Sequence, residues 1–237
     1  MTIRWRIMQI RRKEEEKTAM NKKLVELEMR ALRAQMNPHF IFNVLSSIQY
    51  YILYNDSISA QNYLSKFARL IRITLDNSRV TFVSLEKELT LLRLYLDLEN
   101  LRFEEKFMYE IDVDAGINQN DVLIPNLLLQ PYVENAIKHG FRGRLGSFLS
   151  VRLWPSQGKI VCTITDNGIG RVEAAKANNY EIDGHVSAGT SIIRDKIEAL
   201  KIHFNYHLSS NTIDVMEEGV VTGTQVILEI PEIMPYK

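Results

Sequence analysis

The interval between apolar residues changes near Phe107, and no other feature of the sequence constrains the fold as strongly. Before this point apolar residues recur at helical spacing, as in "ISAQNYLSKFARLIRITLDN". After it, "FMYEIDVD" and "FLSVRLWPSQGKIVCTITDNG" alternate between apolar and polar residues, as strands do. A helical part followed by a mixed part predicts a two-domain protein of the α+β class, with a helical domain and then an α/β sandwich.

The helical part begins with a short heptad seam and continues into a hairpin. The seam residues recur at alternating gaps of four and three: Met20, Leu24, Leu27, Ala31 and Ala34. The helix continues through "FIFNVLSSIQYYIL", which carries more apolar residues than one helix can hide, and "YNDS" offers a turn into a second helix. Two such hairpins, one from each of two chains, predict a dimeric four-helix bundle.

These patterns divide the chain into four predicted segments. Residues 1–19 form a linker, residues 20–80 a coiled coil and helical hairpin, residues 81–106 a connector helix, and residues 107–237 the α/β domain. In the last segment, "LLLQPYVENAIKHG" and "SIIRDKIEALKIHF" predict helices among the strands.

Composition excludes several classes of protein. Lys plus Arg and Asp plus Glu both total 29, which argues against a nucleic-acid partner. The single cysteine excludes a disulfide framework and a cysteine zinc cluster. No apolar run reaches the roughly 18 residues of a membrane helix, which predicts a cytoplasmic chain. The basic start "MTIRWRIMQIRRK" suits a segment just inside a membrane, with a sensor segment expected upstream, although a solvated basic helix start explains it equally well.

A proline within the helical part singles out "NPHFIFN". Pro38 has no N–H and costs about 3 kcal/mol inside a helix, so the helix should bend and display His39. A neutral imidazole is a usable nucleophile, and Asn43 lies four residues on, on the same helix face. The alternative is that His39 is simply a polar residue at a kink.

The stretch "PYVENAIKHG" combines acidic, amide and basic groups on one predicted helix. The Asn135 amide oxygen could hold a hard cation such as Mg²⁺, and Lys138 and His139 could meet phosphate charge. The alternative is an ordinary helix C-terminus, where Lys138 and His139 interact favourably with the helix dipole and Gly140 ends the helix.

The stretch "TDNGIG" follows directly on an alternating strand. Asp166 could accept a hydrogen bond from the amino group of a base, while the glycines let a flat ring approach the backbone. "DNG" is equally a common turn sequence. The polar stretch from Arg171 to Ser187 could form a lid over a ligand.

In this order and at these spacings, the stretches resemble the LytS-like class of sensor histidine kinases, from about Leu24 to Pro231. "ALRAQMNPHFIFNVLSSI" is similar to the phosphoacceptor box and "LEKELTLLRLYLDLENLRF" to the connector. "LIPNLLLQPYVENAIKHG" is similar to the N box, and "DNGIG" to the first glycine box of the Bergerat-type ATP fold. "GTSIIRDKIEAL" is similar to the second glycine box and "GTQVILEIP" to the closing strand.

The resemblance implies a role for each matched residue. His39 is expected to be phosphorylated, Asn135 to bind Mg²⁺, and Asp166 to recognise adenine. Glu134 stands where the class places an acid and is expected to support the metal or a water. The other residues expected at the nucleotide are Thr224 through a water, Gly168, Gly170, Gly189, Lys138, His139 and Lys196.

The resemblance also implies cofactors and partners. It predicts ATP with Mg²⁺, a homodimer, and transfer of the phosphoryl group from histidine to an aspartate of a response regulator. The chain would then be the cytoplasmic part of an inner-membrane sensor.

Three positions depart from the family pattern. Pro131 stands where many Bergerat ATPases carry an acidic base, which disfavours an ATP-hydrolysing clamp of the gyrase kind. Ser191 stands where a second glycine usually follows Gly189, so a catalytically impaired ATP-binding scaffold is the alternative function. Neither neighbour of His39 is acidic, and Asn43 is the expected orienting partner.

Overall fold

A computed structural model gives the structure of the chain. It describes residues 38–77, 80–102, 107–141, 146–171 and 188–232. The predicted linker, the heptad seam and most of the predicted lid lie outside the described residues. The described part mixes helices with strands, which confirms the α+β class.

The elements follow one another in an order that places the helices first and the mixed part second. The helices are α1 Pro38–Leu53, α2 Ser57–Asn77, α3 Leu85–Arg102, α4 Gln130–Asn135 and α5 Ala188–Phe204, with a π-helical turn at Ala136–Gly140 after α4. The strands are β1 Phe82–Ser84, β2 Met108–Val113, β3 Leu123–Pro125, β4 Phe148–Ser156, β5 Lys159–Asp166, β6 Ser209–Glu217 and β7 Val220–Pro231.

Helices α1 and α2 form the expected pair around the "YNDS" turn. Asn55 takes a positive φ of 56°, and the Asp56 carboxylate accepts from the Ser59 N–H at 3.0 Å, which caps the start of α2. The described part of α1 begins at Pro38, so the predicted bend before His39 falls outside the described residues.

The chain divides into two compact units, and the division falls after Leu64, within α2. In the second unit, the buried residues of α3 are mainly leucines, together with the carboxylates of Glu88 and Glu99. Because more than half of its residues are buried, α3 packs as a central element of the second unit.

The second unit contains a five-stranded sheet with the strand order β2-β4-β5-β7-β6. Strands β2 and β4 are parallel, and the other neighbours are antiparallel. Strands β4 and β5 are joined by a Ser-Gln-Gly turn, where Gln157 and Gly158 both have positive φ. Strands β1 and β3 form a separate antiparallel pair.

The predicted helix "LLLQPYVENAIKHG" is shorter than its sequence suggests. Leu127 has a φ of +48°, and α4 begins only at Gln130. The buried Glu88 carboxylate accepts from the N–H groups of Leu127 and Leu129 at 2.8 and 3.0 Å, so these amides are satisfied without helical bonds.

None of the described helices is both long enough and apolar enough to cross a membrane.

Candidate active site

Asp166 lies at the end of β5, opposite Thr224 of β7 in the strand register. Its side chain is buried, and Oδ1 accepts from the Gly168 N–H at 2.9 Å. Burial raises the pKa of this carboxyl to about 6, and the backbone N–H groups of Gly168 and Thr224 oppose the rise. The site therefore holds an acceptor that titrates near neutral pH.

Two close backbone approaches shape the surroundings of Asp166. A Cβ at Gly168 would lie 2.4 Å from the Gly140 Cα, so only glycine lets these two segments meet. A Cβ at Gly223 would lie 1.9 Å from the Asp166 carbonyl oxygen. Gly170 follows with a positive φ of 75°. The end of the π-helical turn thus touches the glycine segment, as a shared pocket requires.

The turn at Asn167 is held by its own side chain. Asn167 Oδ1 accepts from the Phe148 N–H at 2.7 Å, and Nδ2 donates to the Gly146 carbonyl at 2.9 Å. The Ile169 N–H donates to the Gly140 carbonyl at 3.3 Å. These bonds fix the backbone on both sides of Asp166, so the carboxyl is preorganised.

Glu134 and Asn135 end α4, directly before the π-helical turn. The Glu134 carboxylate accepts from Gln130 Nε2 at 2.8 Å, and burial raises its pKa, with the nearby Glu99 charge raising it further. Asn135 is half-buried and makes no side-chain cap for the turn that follows. A π-helical turn is rare and frequently marks a functional site.

The other basic residues predicted near the nucleotide are placed differently from one another. Lys138 is exposed on the π-helical turn, and the His139 side chain is outside the described residues. Lys196 of α5 is half-buried, and its ammonium donates to the Asn126 backbone carbonyl and, at 3.0 Å, to Asn126 Oδ1. Gly189 lies in the first turn of α5.

His39 and Asn43 lie on α1, in the first unit. The side chain of His39 is outside the described residues. Asn43 is half-buried, and its carbonyl accepts from Ser47 Oγ at 3.0 Å. The expected pairing of His39 with Asn43 remains a prediction.

Sequence reasoning missed three residues that position this site. Glu88 is a buried acid among several charged residues of α3, Asn126 lies between a strand and a run of leucines, and Gly223 interrupts a strand. Of these, only the glycine in a strand is a signal that sequence reading could have used.

Among the described residues no cluster of three or more His, Cys, Asp or Glu could hold a metal ion. A single amide ligand suits Mg²⁺, which keeps several waters and takes substrate phosphates as ligands. Asn135 and Glu134, which are both half-buried and adjacent, fit such a cation.

Comparisons with known proteins identify relatives over most of the chain. A family model described as "Histidine kinase" matches residues 27–107. "Sensor protein LytS" of Staphylococcus saprophyticus is 36% identical over 208 residues, which are 87% of this chain and 34% of that protein. "Sensor histidine kinase YesM" of Bacillus subtilis is 28% identical over 217 residues, 87% of this chain and 33% of that protein. The chain spans about a third of the length of these relatives.

A solved structure is also similar. The histidine kinase domain of the Erythrobacter litoralis EL346 blue-light activated histidine kinase has a TM-score of 0.46 and 16% identity, covering 82% of this chain and 96% of that one.

The family model and the relatives agree with the ordered boxes in the sequence. The model covers the segment with the phosphoacceptor box and the connector. The LytS relative extends the similarity over most of the chain. These findings confirm the resemblance of this chain to the LytS-like sensor histidine kinases.

Proposed function

We propose that this chain is the kinase core of a two-component sensor and transfers the γ-phosphoryl group of ATP to His39. The observation that carries the proposal is the buried Asp166 carboxyl, held beside a glycine segment that meets the helix end carrying Asn135. The hydrogen-bond acceptor suits the amino group of adenine, and the neighbouring glycine backbone suits its flat ring.

The site residues have separate tasks in this proposal. Asp166 accepts from the base, with Thr224 contributing through a water, while Gly168 and Gly170 allow the close packing that shapes the pocket. Asn135 would hold Mg²⁺, which offsets negative charge on the phosphates when bound. Lys138 and His139 lie on the following turn, where their charge can meet phosphate.

The transfer depends mostly on the placement of the reacting groups. A nitrogen of the His39 imidazole attacks the γ-phosphorus, an N–P bond forms, and the P–O bond to the leaving ADP breaks. Asn43 would orient the imidazole from the same helix face. Glu134, whose pKa is raised by burial, would support the metal or a water.

The phosphoryl group would then pass to an aspartate on a separate response regulator, with the chain acting as a homodimer. The hairpin supports the dimer, because large apolar side chains of α1 and α2 are exposed in the single chain: Phe42, Leu45, Ile52, Leu53, Ile58 and Leu64. A second hairpin would cover such a surface. The basic stretch "MTIRWRIMQIRRK" suits placement beneath a membrane segment.

Phosphorylation of His39 is tested with ATP labelled on the γ-phosphate. Incubation with Mg²⁺ should give an acid-labile, base-stable label that is absent from His39→Gln and retained by the matched variant His207→Gln, which removes an exposed histidine of the second unit. Label that survives His39→Gln would refute the assignment. Nucleotide binding without any label would instead favour the impaired scaffold.

A further inference from the structure

A polar network buried in the second unit joins four elements that the proposed reaction does not explain. It consists of Glu88 on α3, Asn126 after β3, Lys196 on α5, and the carbonyls at the end of α2. We call it the junction network. Because buried polar groups are costly unless satisfied, a network of this kind in a core requires an explanation.

Glu88 fixes the segment that leads into α4. Its carboxylate is 1% exposed and accepts from Leu127 and Leu129 N–H at 2.8 and 3.0 Å. Burial raises its pKa, while the Leu129 N–H and the Lys196 charge oppose the rise. The carboxylate therefore satisfies the N–H of Leu129, the residue that precedes α4, as well as that of Leu127.

Asn126 connects the same segment to the end of α2. Its Nδ2 donates to the carbonyls of Asn77 and Val80 at 2.8 and 2.9 Å, and its N–H donates to the Thr81 carbonyl at 3.0 Å. The last carbonyls of a helix have no partner inside the helix, and the Asn126 amide satisfies that of Asn77, the last residue of α2.

Lys196 completes the junction network from α5. Its ammonium donates to both the backbone and the side-chain oxygen of Asn126, and its charge acts on Glu88. Burial lowers its pKa, and the Glu88 charge opposes that fall. The amine is thus directed at the Asn126 segment through two bonds.

The segment held by the junction network is in an unfavourable conformation. Leu127 has a left-handed φ of +48° although it carries a branched side chain. Within the described chain, Asn77 Nδ2 is buried without a hydrogen-bond partner. Unfavourable features of this kind persist only where the surrounding contacts hold them, and Glu88 with Lys196 supplies those contacts here.

We propose that Lys196 is a positioning residue that acts through Asn126 and Glu88. By holding residues 126–129, it sets where the helix carrying Glu134 and Asn135 begins. It also connects the beginning of that helix to the end of α2. The importance of this position for phosphotransfer rests on the proposed function. The proposal assigns Lys196 to the junction network instead of to the nucleotide phosphates.

The test compares Lys196→Met, which keeps an apolar stem but no donor, with Lys201→Met, which removes an exposed lysine of the same helix. Hydrogen exchange of the Leu127 and Leu129 amides is measured in the nucleotide-free chain. Lys196→Met should speed their exchange about tenfold, as expected for a weakened buried hydrogen-bond network, and Lys201→Met should leave it unchanged. Lys196→Arg keeps a donor and should restore slow exchange.

Ligand binding separates positioning from direct phosphate contact. Lys196→Met should slow autophosphorylation at saturating ATP about tenfold while changing the affinity for inorganic triphosphate by less than about twofold. Loss of triphosphate affinity with unchanged exchange at Leu127 and Leu129 would overturn the proposal. If the wild-type chain binds no nucleotide, the proposed function fails, and the exchange measurement still decides the role of Lys196.

A second variant covers the case in which Lys196→Met does not fold. Asn126→Asp keeps both acceptors for Lys196 but removes the donor to the carbonyls of Asn77 and Val80. It should speed hydrogen exchange of the amides in the last turn of α2 and leave exchange of the Leu129 amide, which is bonded to Glu88, within about threefold of wild type. Unchanged exchange at the end of α2 would contradict the proposed connection between Asn126 and α2.

Discussion

Replacing Asp166 with asparagine should stabilise the ligand-free chain even as it removes the proposed base contact. The carboxyl is 7% exposed, and burial raises its pKa from 3.8 to about 6. A shift of about two units corresponds to about 3 kcal/mol, since one unit is worth about 1.4 kcal/mol. This is the upper limit of what the buried charge costs the folded state.

The sign of the effect fixes its pH dependence. Because the folded pKa lies above the unfolded value, the ionised Asp166 opposes folding above pH 6. The penalty fades as the pH falls from about 6 toward the unfolded value of 3.8, because the folded carboxyl is by then protonated. Asparagine carries no charge at any pH. The advantage of Asp166→Asn should therefore approach about 3 kcal/mol at pH 7.5 and largely vanish near pH 4.

Urea unfolding at pH 7.5 and pH 4 measures this difference, and Asp112→Asn is the matched control because Asp112 is exposed on β2. The control changes the net charge equally and should shift the free energy of unfolding by less than about 0.5 kcal/mol. A destabilised Asp166→Asn at pH 7.5, or a gain equal at both pH values, would refute the reasoning. In parallel, Asp166→Asn should lower the affinity for ATP and ADP by roughly tenfold or more and leave the affinity for inorganic triphosphate unchanged.

Other changes test the remaining parts of the site. Asn135→Ala should abolish autophosphorylation without lowering the melting temperature by more than a few degrees, and unimpaired labelling would remove its metal role. Gly168→Ala should cost about 2 kcal/mol or more in urea unfolding because its Cβ would lie 2.4 Å from Gly140 Cα, and a neutral effect would contradict that approach. Wild-type affinity for ADP, followed by titration calorimetry, should fall as the pH drops through about 6, since protonated Asp166 is a poorer acceptor. Gln157→Asn should raise stability by about 0.5 kcal/mol, because asparagine tolerates the positive φ of this turn better than glutamine does; a loss in thermal unfolding would count against the turn geometry.

Local patterns predicted the elements whose contacts are local. The alternation before and after Gln157 predicted the β4–β5 hairpin, and "YNDS" predicted the turn between α1 and α2. In both cases the residues that decide the conformation lie within the stretch itself.

The start of α4 could not be predicted in this way. "LLLQPYVEN" has helical spacing throughout, but Glu88, far away in sequence, takes the amides of Leu127 and Leu129. Lys196, which the resemblance places at the nucleotide, likewise donates to Asn126, 70 residues away in sequence. Long-range hydrogen bonds of buried charged groups override local propensity and leave no periodic signal in the sequence.

The register that places Asp166 opposite Thr224 has a consequence for how this domain can vary. The two residues are neighbours across β5 and β7, so the hydrogen-bonded sheet sets their spacing whatever the length of the chain that connects them. Doubling the length of a flexible connection costs only about 0.6 kcal/mol of closure entropy. Relatives can therefore lengthen or shorten the stretch between these strands, and alter how substrate enters, without moving the two groups proposed to recognise the base.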